Sequence, residues 1–175
     1  MKSTGVVRRI DDLGRIVIPK EIRKNMKIKD GEEVEIYLES DNIILKKYSP
    51  FGNIKEIYKD YVNSIYEVIL ENVMIIDKHK VVAVSKNLKD YFDKTISSKL
   101  DNIIEQRKLV LESNFKDFNF IEEKKEVVSY IINPIIVCGD VLGAIIMFSS
   151  NKNLGVLEEK TVAIAAKFLE KYIEE

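Results

Sequence analysis

The sequence predicts an α+β protein built from two units, a small β-rich unit followed by a larger unit of mixed helices and strands. First, a cluster of Ser, Pro, Gly and Asn interrupts the pattern near residue 50, as is typical of a turn or linker. Second, short runs of β-branched residues precede this cluster, whereas long amphipathic helices alternate with β-rich runs after it. We therefore predict domains at residues 1–48 and 54–175, joined by a linker at 49–53.

Composition narrows the class of protein. The 175 residues carry a formal net charge of −1, with apolar and charged fractions of an ordinary globular protein. No apolar run approaches the roughly 20 residues that span a bilayer, and the start lacks an apolar signal-peptide core. The single cysteine, Cys138, excludes an internal disulfide framework. We expect a cytoplasmic protein.

The first unit reads as two strands and a short helix. Strands are predicted at Gly5–Ile10 and Arg15–Ile18, joined by the loop "DDLG", in which Gly14 tolerates positive φ. Pro19 suits the first position of a helix, where a missing N–H is not needed. The helix "PKEIRKNM" is therefore predicted to span only two turns and to end near Gly31.

A β-hairpin completes the first unit. In "EEVEIYLE" the apolar side chains alternate with polar ones, which predicts one buried face and one exposed face. The apolar face comprises Val34, Ile36 and Leu38. "SDN" provides a tight turn, after which "IILKKY" pairs back. A unit of about 48 residues without disulfide or metal buries too little surface to be stable alone, so we predict an obligate homodimer through residues 1–48.

The second unit is predicted to be an antiparallel sheet with helices packed against it. Its amphipathic helices are expected near both ends, at "IKEIYKDYVNSIYEVI" and "EEKTVAIAAKFLEKYIEE", with a third helical stretch at residues 89–107. Strands are expected in "NVMIID", "VVAVS", "EVVSYIINPIIV" and "VLGAIIMFS". Helices and strands in this order are typical of an α+β fold.

Charge is distributed unevenly in the first unit. Residues 1–29 carry nine Lys or Arg against three acidic residues, whereas residues 30–45 carry six acidic residues and no Lys or Arg. Dimerisation would duplicate the cations with two-fold symmetry, which suits the phosphates of duplex DNA. Arginine also reads guanine edges with two hydrogen bonds. The residues alone leave open a solvated face or an acidic protein partner.

The first unit closely resembles the DNA-binding domain of AbrB-type transition-state regulators. The resemblance covers "STGVVRRIDDLGRIVIPKEIRKNMKIKDGEEVEIYLESDNIILKKY" and includes the "DDLGRIVIPKEIR" core. It implies a swapped-hairpin β-barrel formed by two chains, bound to double-stranded DNA. The family's DNA-contacting positions correspond to Arg8, Arg15, Arg23 and Lys24. Arg9 and Lys20 are expected to assist.

One of these positions departs from the pattern of the AbrB-type regulators, which often have arginine where this chain has Lys24. A lysine at that position would contact DNA as a point charge and not as a fork.

Residues 54–175 resemble GAF-like regulatory domains. An AbrB-like start followed by such a domain resembles sporulation regulators of spore-forming Firmicutes, which both activate and repress genes. The resemblance implies a homotetramer joined through the helices near residues 54–70 and 157–173, and a possible small-molecule effector of unknown identity. Its candidate lining is residues 72–100 and 113–140. Several aromatic side chains there could line a cavity, but we interpret them as ordinary core and loop aromatics: Tyr91, Phe92, Phe115, Phe118 and Phe120.

No catalytic constellation is visible in the sequence. His79 has no second histidine with which to form a metal site, and Cys138 has no histidine nearby. Asp11 and Asp12 are interpreted as loop residues that bind backbone N–H groups. We expect no cofactor, no metal and no enzymatic activity, although a hydrolase in the second unit is a third interpretation. The alternative function is a MazE-like antitoxin that neutralises a ribonuclease.

Overall fold

The computed structural model of the protein describes residues 4–48 and 55–174. The chain forms two compact units, Met1–Tyr48 and Ser49–Glu175. The linker predicted at residues 49–53 lies outside the described residues. Each unit is a separate body with its own sheet.

Helix α1 and a β-hairpin form the regular part of the first unit. Helix α1 (Lys20–Asn25) begins after Pro19, whose carbonyl accepts a hydrogen bond from the Arg23 N–H at 3.0 Å. Strands β1 (Val34–Glu39) and β2 (Asn42–Lys47) pair antiparallel, so the predicted hairpin is confirmed. Residues 34, 36 and 38 share one face with 43, 45 and 47, because side chains alternate along each strand.

The two strands predicted before α1 are wrong for the single chain. Neither Gly5–Ile10 nor Arg15–Ile18 forms a strand in the structure. A strand requires a neighbour with which to exchange backbone hydrogen bonds, and the two segments do not pair with each other as a ladder. Only the turn between them forms, with the Gly14 N–H donating to the Asp11 carbonyl at 3.0 Å and the Asp11 N–H to the Arg15 carbonyl at 3.1 Å.

The second unit contains a five-stranded antiparallel sheet with the strand order β4-β3-β7-β6-β5. Its elements in chain order are α2 (Lys55–Ile69), β3 (Asn72–Asp77), β4 (Val81–Val84), a short 3₁₀ helix (Lys89–Tyr91), α3 (Ser98–Ile104), β5 (Val110–Ile121), β6 (Lys124–Val137), β7 (Asp140–Ser149) and α4 (Val156–Glu174). The predicted antiparallel sheet with helices against it is therefore confirmed.

Both faces of this sheet are buried. Helices α2 and α4 cover one face, where Tyr58 and Leu169 pack against strand residues that include Ile131 and Ile145. Helix α3 and the 3₁₀ helix cover the other face, with Leu100 inside an aromatic cluster. Neighbouring residues of β6 and β7 point to opposite faces, which explains why these strands read as continuous apolar runs.

Two predictions for the second unit need correction. The helical stretch at 89–107 is an α-helix only at Ser98–Ile104, because Ile96 bridges to Ile121 and Ser97 caps α3 by accepting the Leu100 N–H at 3.1 Å. Strand β5 is missing from the sequence prediction. It is an edge strand with register shifts, and its exposed charged residues mask the alternation.

Candidate nucleic-acid interface

The six basic residues predicted to contact DNA lie on three pieces of the first unit. Arg8 and Arg9 precede the turn, Arg15 follows it, and the other three belong to α1. All are exposed except Arg23, which is half-buried. The first unit therefore presents its cations from both sides of the turn and from the helix that follows it.

The turn between the two N-terminal segments fixes the position of Arg15. One carboxylate oxygen of Asp11, Oδ1, accepts the backbone N–H groups of Leu13 at 3.0 Å and Arg15 at 2.7 Å. The other, Oδ2, accepts the Nε–H of Arg15 at 2.8 Å. Gly14 completes the turn with φ of +76°, a left-handed conformation that favours glycine. The interpretation of Asp11 as a loop residue is confirmed, and its bond to the Arg15 guanidinium is additional.

These contacts stabilise the charged form of Asp11. The backbone N–H of Arg15, and then its guanidinium, hold the pKa of the Asp11 carboxyl below its ordinary value. The Arg15 side chain remains 71% exposed. Among the described contacts of Arg15, only Nε carries a side-chain hydrogen bond, so both terminal nitrogens remain as donors.

Helix α1 carries the remaining cations at helical spacing. Lys20 and Lys24 are four residues apart and therefore share a face, with Arg23 beside them. The Nη1 of Arg23 donates to Oδ1 of Asp30 at 2.6 Å, whereas its Nε is buried without a hydrogen bond in the described part of the chain. Asp30 is thus a second acidic partner of a basic candidate. The sequence does not predict this pair, because seven residues separate Arg23 from Asp30.

The same unit exposes an unusual amount of apolar surface. Helix α1 buries none of its residues, and the apolar face of the hairpin is open. Five of the large apolar side chains of the unit are at least two-thirds exposed, namely Val7 (86%), Leu38 (80%), Val17 (73%), Leu13 (71%) and Ile43 (67%). Exposed apolar patches of this kind mark interaction surfaces.

The other candidate positions in the second unit, His79 and Cys138, lie in turns between strands. His79 lies in the β3–β4 turn, where the carboxylate of Asp77 accepts the N–H groups of His79 and Lys80 at 2.7 Å each. Cys138 is exposed, with φ of +50°, in the β6–β7 turn. Within residues 4–48 and 55–174, no group of three or more His, Cys, Asp or Glu could hold a metal ion, and no helix is long and apolar enough to cross a membrane.

The aromatic residues considered as an effector lining divide into two sets. Tyr91, Phe118 and Phe120 are fully buried in the core beneath α3, and burial raises the pKa of the Tyr91 hydroxyl strongly. Phe92 and Phe115 are exposed. The buried three pack as core aromatics, with the ring centroids of Phe118 and Phe120 4.8 Å apart.

Two family profiles match the chain, one for each unit. Residues 53–174 match the family described as stage V sporulation protein T C-terminal, transcription factor. Residues 7–53 match the family described as antidote-toxin recognition MazE, bacterial antitoxin.

Individual proteins extend this similarity. The chain is 42% identical to stage V sporulation protein T of Bacillus subtilis, over 100% of both chains. It is 54% identical over 50 residues to the transition state regulatory protein AbrB of the same organism, covering 29% of this chain and 52% of AbrB. The GAF domain of PixJ from Thermosynechococcus elongatus has a similar fold, with a TM-score of 0.56 at 13% identity, covering 73% of this chain and 89% of PixJ's.

Proposed function

The chain belongs to the family of stage V sporulation protein T, and we propose that it is a DNA-binding transcriptional regulator that activates and represses sporulation genes. The observation that supports DNA binding is the exposed side chain of Arg15. Its Nε–H donates a hydrogen bond to Asp11 in the same turn, and the basic helix α1 follows this turn in the chain. The 54% identity between AbrB and 50 residues of this chain supports the same assignment. We also propose that the protein acts in the cytoplasm and has no enzymatic activity.

The DNA-binding form is a homodimer joined through residues 1–48. The open apolar face of β1 and β2 supports this assembly, because a two-stranded hairpin is marginally stable until another layer covers it. The segments before α1 have no strand partner in one chain, and a second chain would supply one. A swapped-hairpin barrel built from two chains meets both needs.

Two copies of each basic residue would then form one two-fold symmetric surface. Arg8, Arg15, Arg23 and Lys24 are proposed to contact DNA directly, which gives eight cations per dimer. Arg9 and Lys20 are proposed to assist. Lys24 would act as a point charge, whereas arginine can also read a guanine edge.

The salt dependence of binding tests this surface. If eight phosphates are neutralised, a plot of log affinity against log salt has a slope of about −7, since each phosphate contributes about −0.9. The measurement is a fluorescence titration of the full-length protein with duplex DNA at several potassium concentrations. A slope close to zero would contradict the electrostatic basis of the proposal.

The second unit is proposed to join two dimers into a homotetramer. The apolar stripe of α4 is wider than its own sheet can cover: Ala165 and Leu169 are buried, whereas Leu157, Ile164 and Phe168 remain exposed. Helix α2 lies alongside, with Tyr61 stacked on Phe168 at a centroid distance of 5.0 Å. Ile57 and Val68 of helix α2 are also exposed and add to the apolar surface of this helix pair.

Native mass spectrometry tests the tetramer and the effector together. Ile164→Glu places a charge in the proposed interface and is expected to leave dimers, whereas Lys78→Glu reverses an exposed charge in the β3–β4 turn, on neither helix of the interface, and is expected to leave tetramers. Tetramers that persist in Ile164→Glu would contradict this interface. A mass excess per subunit in the wild-type protein would identify a retained effector.

An antitoxin is the second candidate function, because residues 7–53 match the MazE family. Such antitoxins bind their toxin with a disordered acidic tail, whereas residues 55–174 of this chain include a folded sheet buried on both faces. The transcription-factor family also covers residues 53–174. Co-purification of the full chain with a small ribonuclease would favour the antitoxin.

A further inference from the structure

We infer that Asp11 is a positioning residue for DNA recognition, an acidic side chain that orients Arg15 for its contact with DNA. This inference rests on the proposed function. It uses one set of contacts: Asp11 binds the backbone of its own turn through Oδ1 and the Nε–H of Arg15 through Oδ2 at 2.8 Å. A single carboxylate therefore ties the side chain of Arg15 to the backbone that carries it.

The geometry leaves the useful part of Arg15 available. A guanidinium has five N–H donors, and a bond at Nε leaves the four on the terminal nitrogens for a partner. Two hydrogen bonds to a guanine edge, or to a phosphate, use such a fork. A free arginine loses rotamer freedom when it binds, so an arginine already held at Nε binds with a smaller entropic penalty.

An acidic residue beside DNA that does not position a basic residue would oppose binding, because its negative charge repels the phosphates. Asp12 provides the comparison, since it is adjacent in sequence, carries the same charge and is exposed. Within the described residues, the hydrogen bonds and the ion pair to Arg15 come from Asp11 and none comes from Asp12. If acidity alone mattered, neutralising either residue would strengthen binding equally. If Asp11 positions Arg15, the two substitutions act in opposite directions.

The test compares Asp11→Asn with Asp12→Asn in the full-length protein. The probes are a duplex enriched by the wild-type protein from a random library and a pool of unselected random duplexes. The amide introduced by Asp11→Asn keeps an oxygen for the backbone N–H groups but lacks the charge that holds the guanidinium. We expect Asp11→Asn to bind the enriched duplex about tenfold more weakly than wild type, because the loss of one good bidentate contact has an effect of about this size. Asp12→Asn should bind at least as tightly as wild type.

A double-substitution cycle separates positioning from a general structural role. At low salt, where weak binding stays measurable, adding Asp11→Asn to Arg15→Ala should cause no further loss of affinity for the enriched duplex, because the residue through which Asp11 acts is already gone. A further loss in the Arg15→Ala background would overturn the inference, as would equal gains in Asp11→Asn and Asp12→Asn. A wild-type protein that enriches no duplex would contradict the proposed function instead.

Discussion

The two units of this protein bury their apolar side chains to very different extents. In the second unit, Ile131 and Ile145 are completely buried between helices and sheet. In the first unit, Leu38 and Val7 are at least 80% exposed, although they belong to equally apolar segments. A five-stranded sheet with helices on both faces provides its own core, whereas a two-stranded hairpin beside a six-residue helix does not.

We propose that this difference sets what each unit requires from other chains. The second unit has a buried core on both faces of its sheet, and the outer edge of its α2–α4 layer is exposed and is proposed for association. The first unit is proposed to acquire its core from a partner chain, and that same partner would double its cations. In the first unit, folding and DNA recognition are therefore proposed to depend on one event, the pairing of two chains.

The largest effect is expected from a charge on the apolar face of the hairpin. Leu38→Asp would bury an unpaired carboxylate in the proposed two-chain core, so the first unit should lose its structure and DNA binding should disappear. Val127→Asp is the control, since Val127 is also exposed (58%) but lies on the second unit. Circular dichroism and DNA titration of both variants provide the measurement. Normal DNA binding by Leu38→Asp would contradict the proposal that the first unit, unlike the second, shares its core with another chain.

The next effect concerns recognition without folding. Arg15→Ala removes one proposed bidentate contact from each half of the proposed dimer, so affinity for DNA should fall by about 100-fold or more. The oligomeric state should not change, because the Arg15 side chain is 71% exposed. Lys78→Ala, an exposed cation of the second unit, is expected to bind as wild type. Unchanged binding by Arg15→Ala would exclude this residue from the interface.

A substitution inside the second unit tests whether that unit is independently packed. A Cβ added at Gly143 would lie 2.0 Å from the backbone oxygen of Ile76, so Gly143→Ala forces the β3–β7 pair apart. We expect a loss of about 3 kcal/mol in the free energy of unfolding, the upper part of the usual range for overpacking. Gly139→Ala, at φ of +86° but in open space, should lose less. Urea unfolding of the two variants measures the loss in the free energy of unfolding for each.

The smallest effect is expected at Asp30. Its carboxylate holds Nη1 of Arg23 at 2.6 Å and therefore competes with DNA for this guanidinium. Asp30→Asn should raise DNA affinity a few-fold, because exposed ion pairs are worth roughly 0.2–1 kcal/mol. Asp41→Asn removes the same charge at the β1–β2 turn and separates this effect from general electrostatics. Equal affinities for the two variants would indicate that Asp30 does not compete.

Much of the second unit could be predicted from local pattern. The 3.6-residue periodicity of α2 and α4 and the apolar runs of β6 and β7 indicated their types, since each has its partners within the same chain. Strand β5 escaped because register shifts and exposed charges interrupt its alternation. The width of the α4 stripe was visible, but only packing shows that Ala165 faces inward and Ile164 outward.

The residues of the candidate site were proposed from the sequence, whereas their contacts could not be predicted from it. The basic side chains were recognisable from charge and from the resemblance to AbrB-type regulators. The bond between Asp11 and Arg15 has a weak sequence signal, their spacing of four residues, and the bond between Arg23 and Asp30 has none. The segments before α1 read as strands because their composition favours strands, but one chain gives them no neighbour with which to pair.

The stability of the isolated first unit tests the central claim most directly. A fragment of residues 1–48 can be diluted stepwise while its mass is followed by sedimentation and its structure by circular dichroism. If two chains share one core, the folded fragment has the mass of a dimer, and its unfolding midpoint falls as the protein is diluted. A fragment that stays folded at the mass of one chain, with a midpoint independent of concentration, would contradict the account.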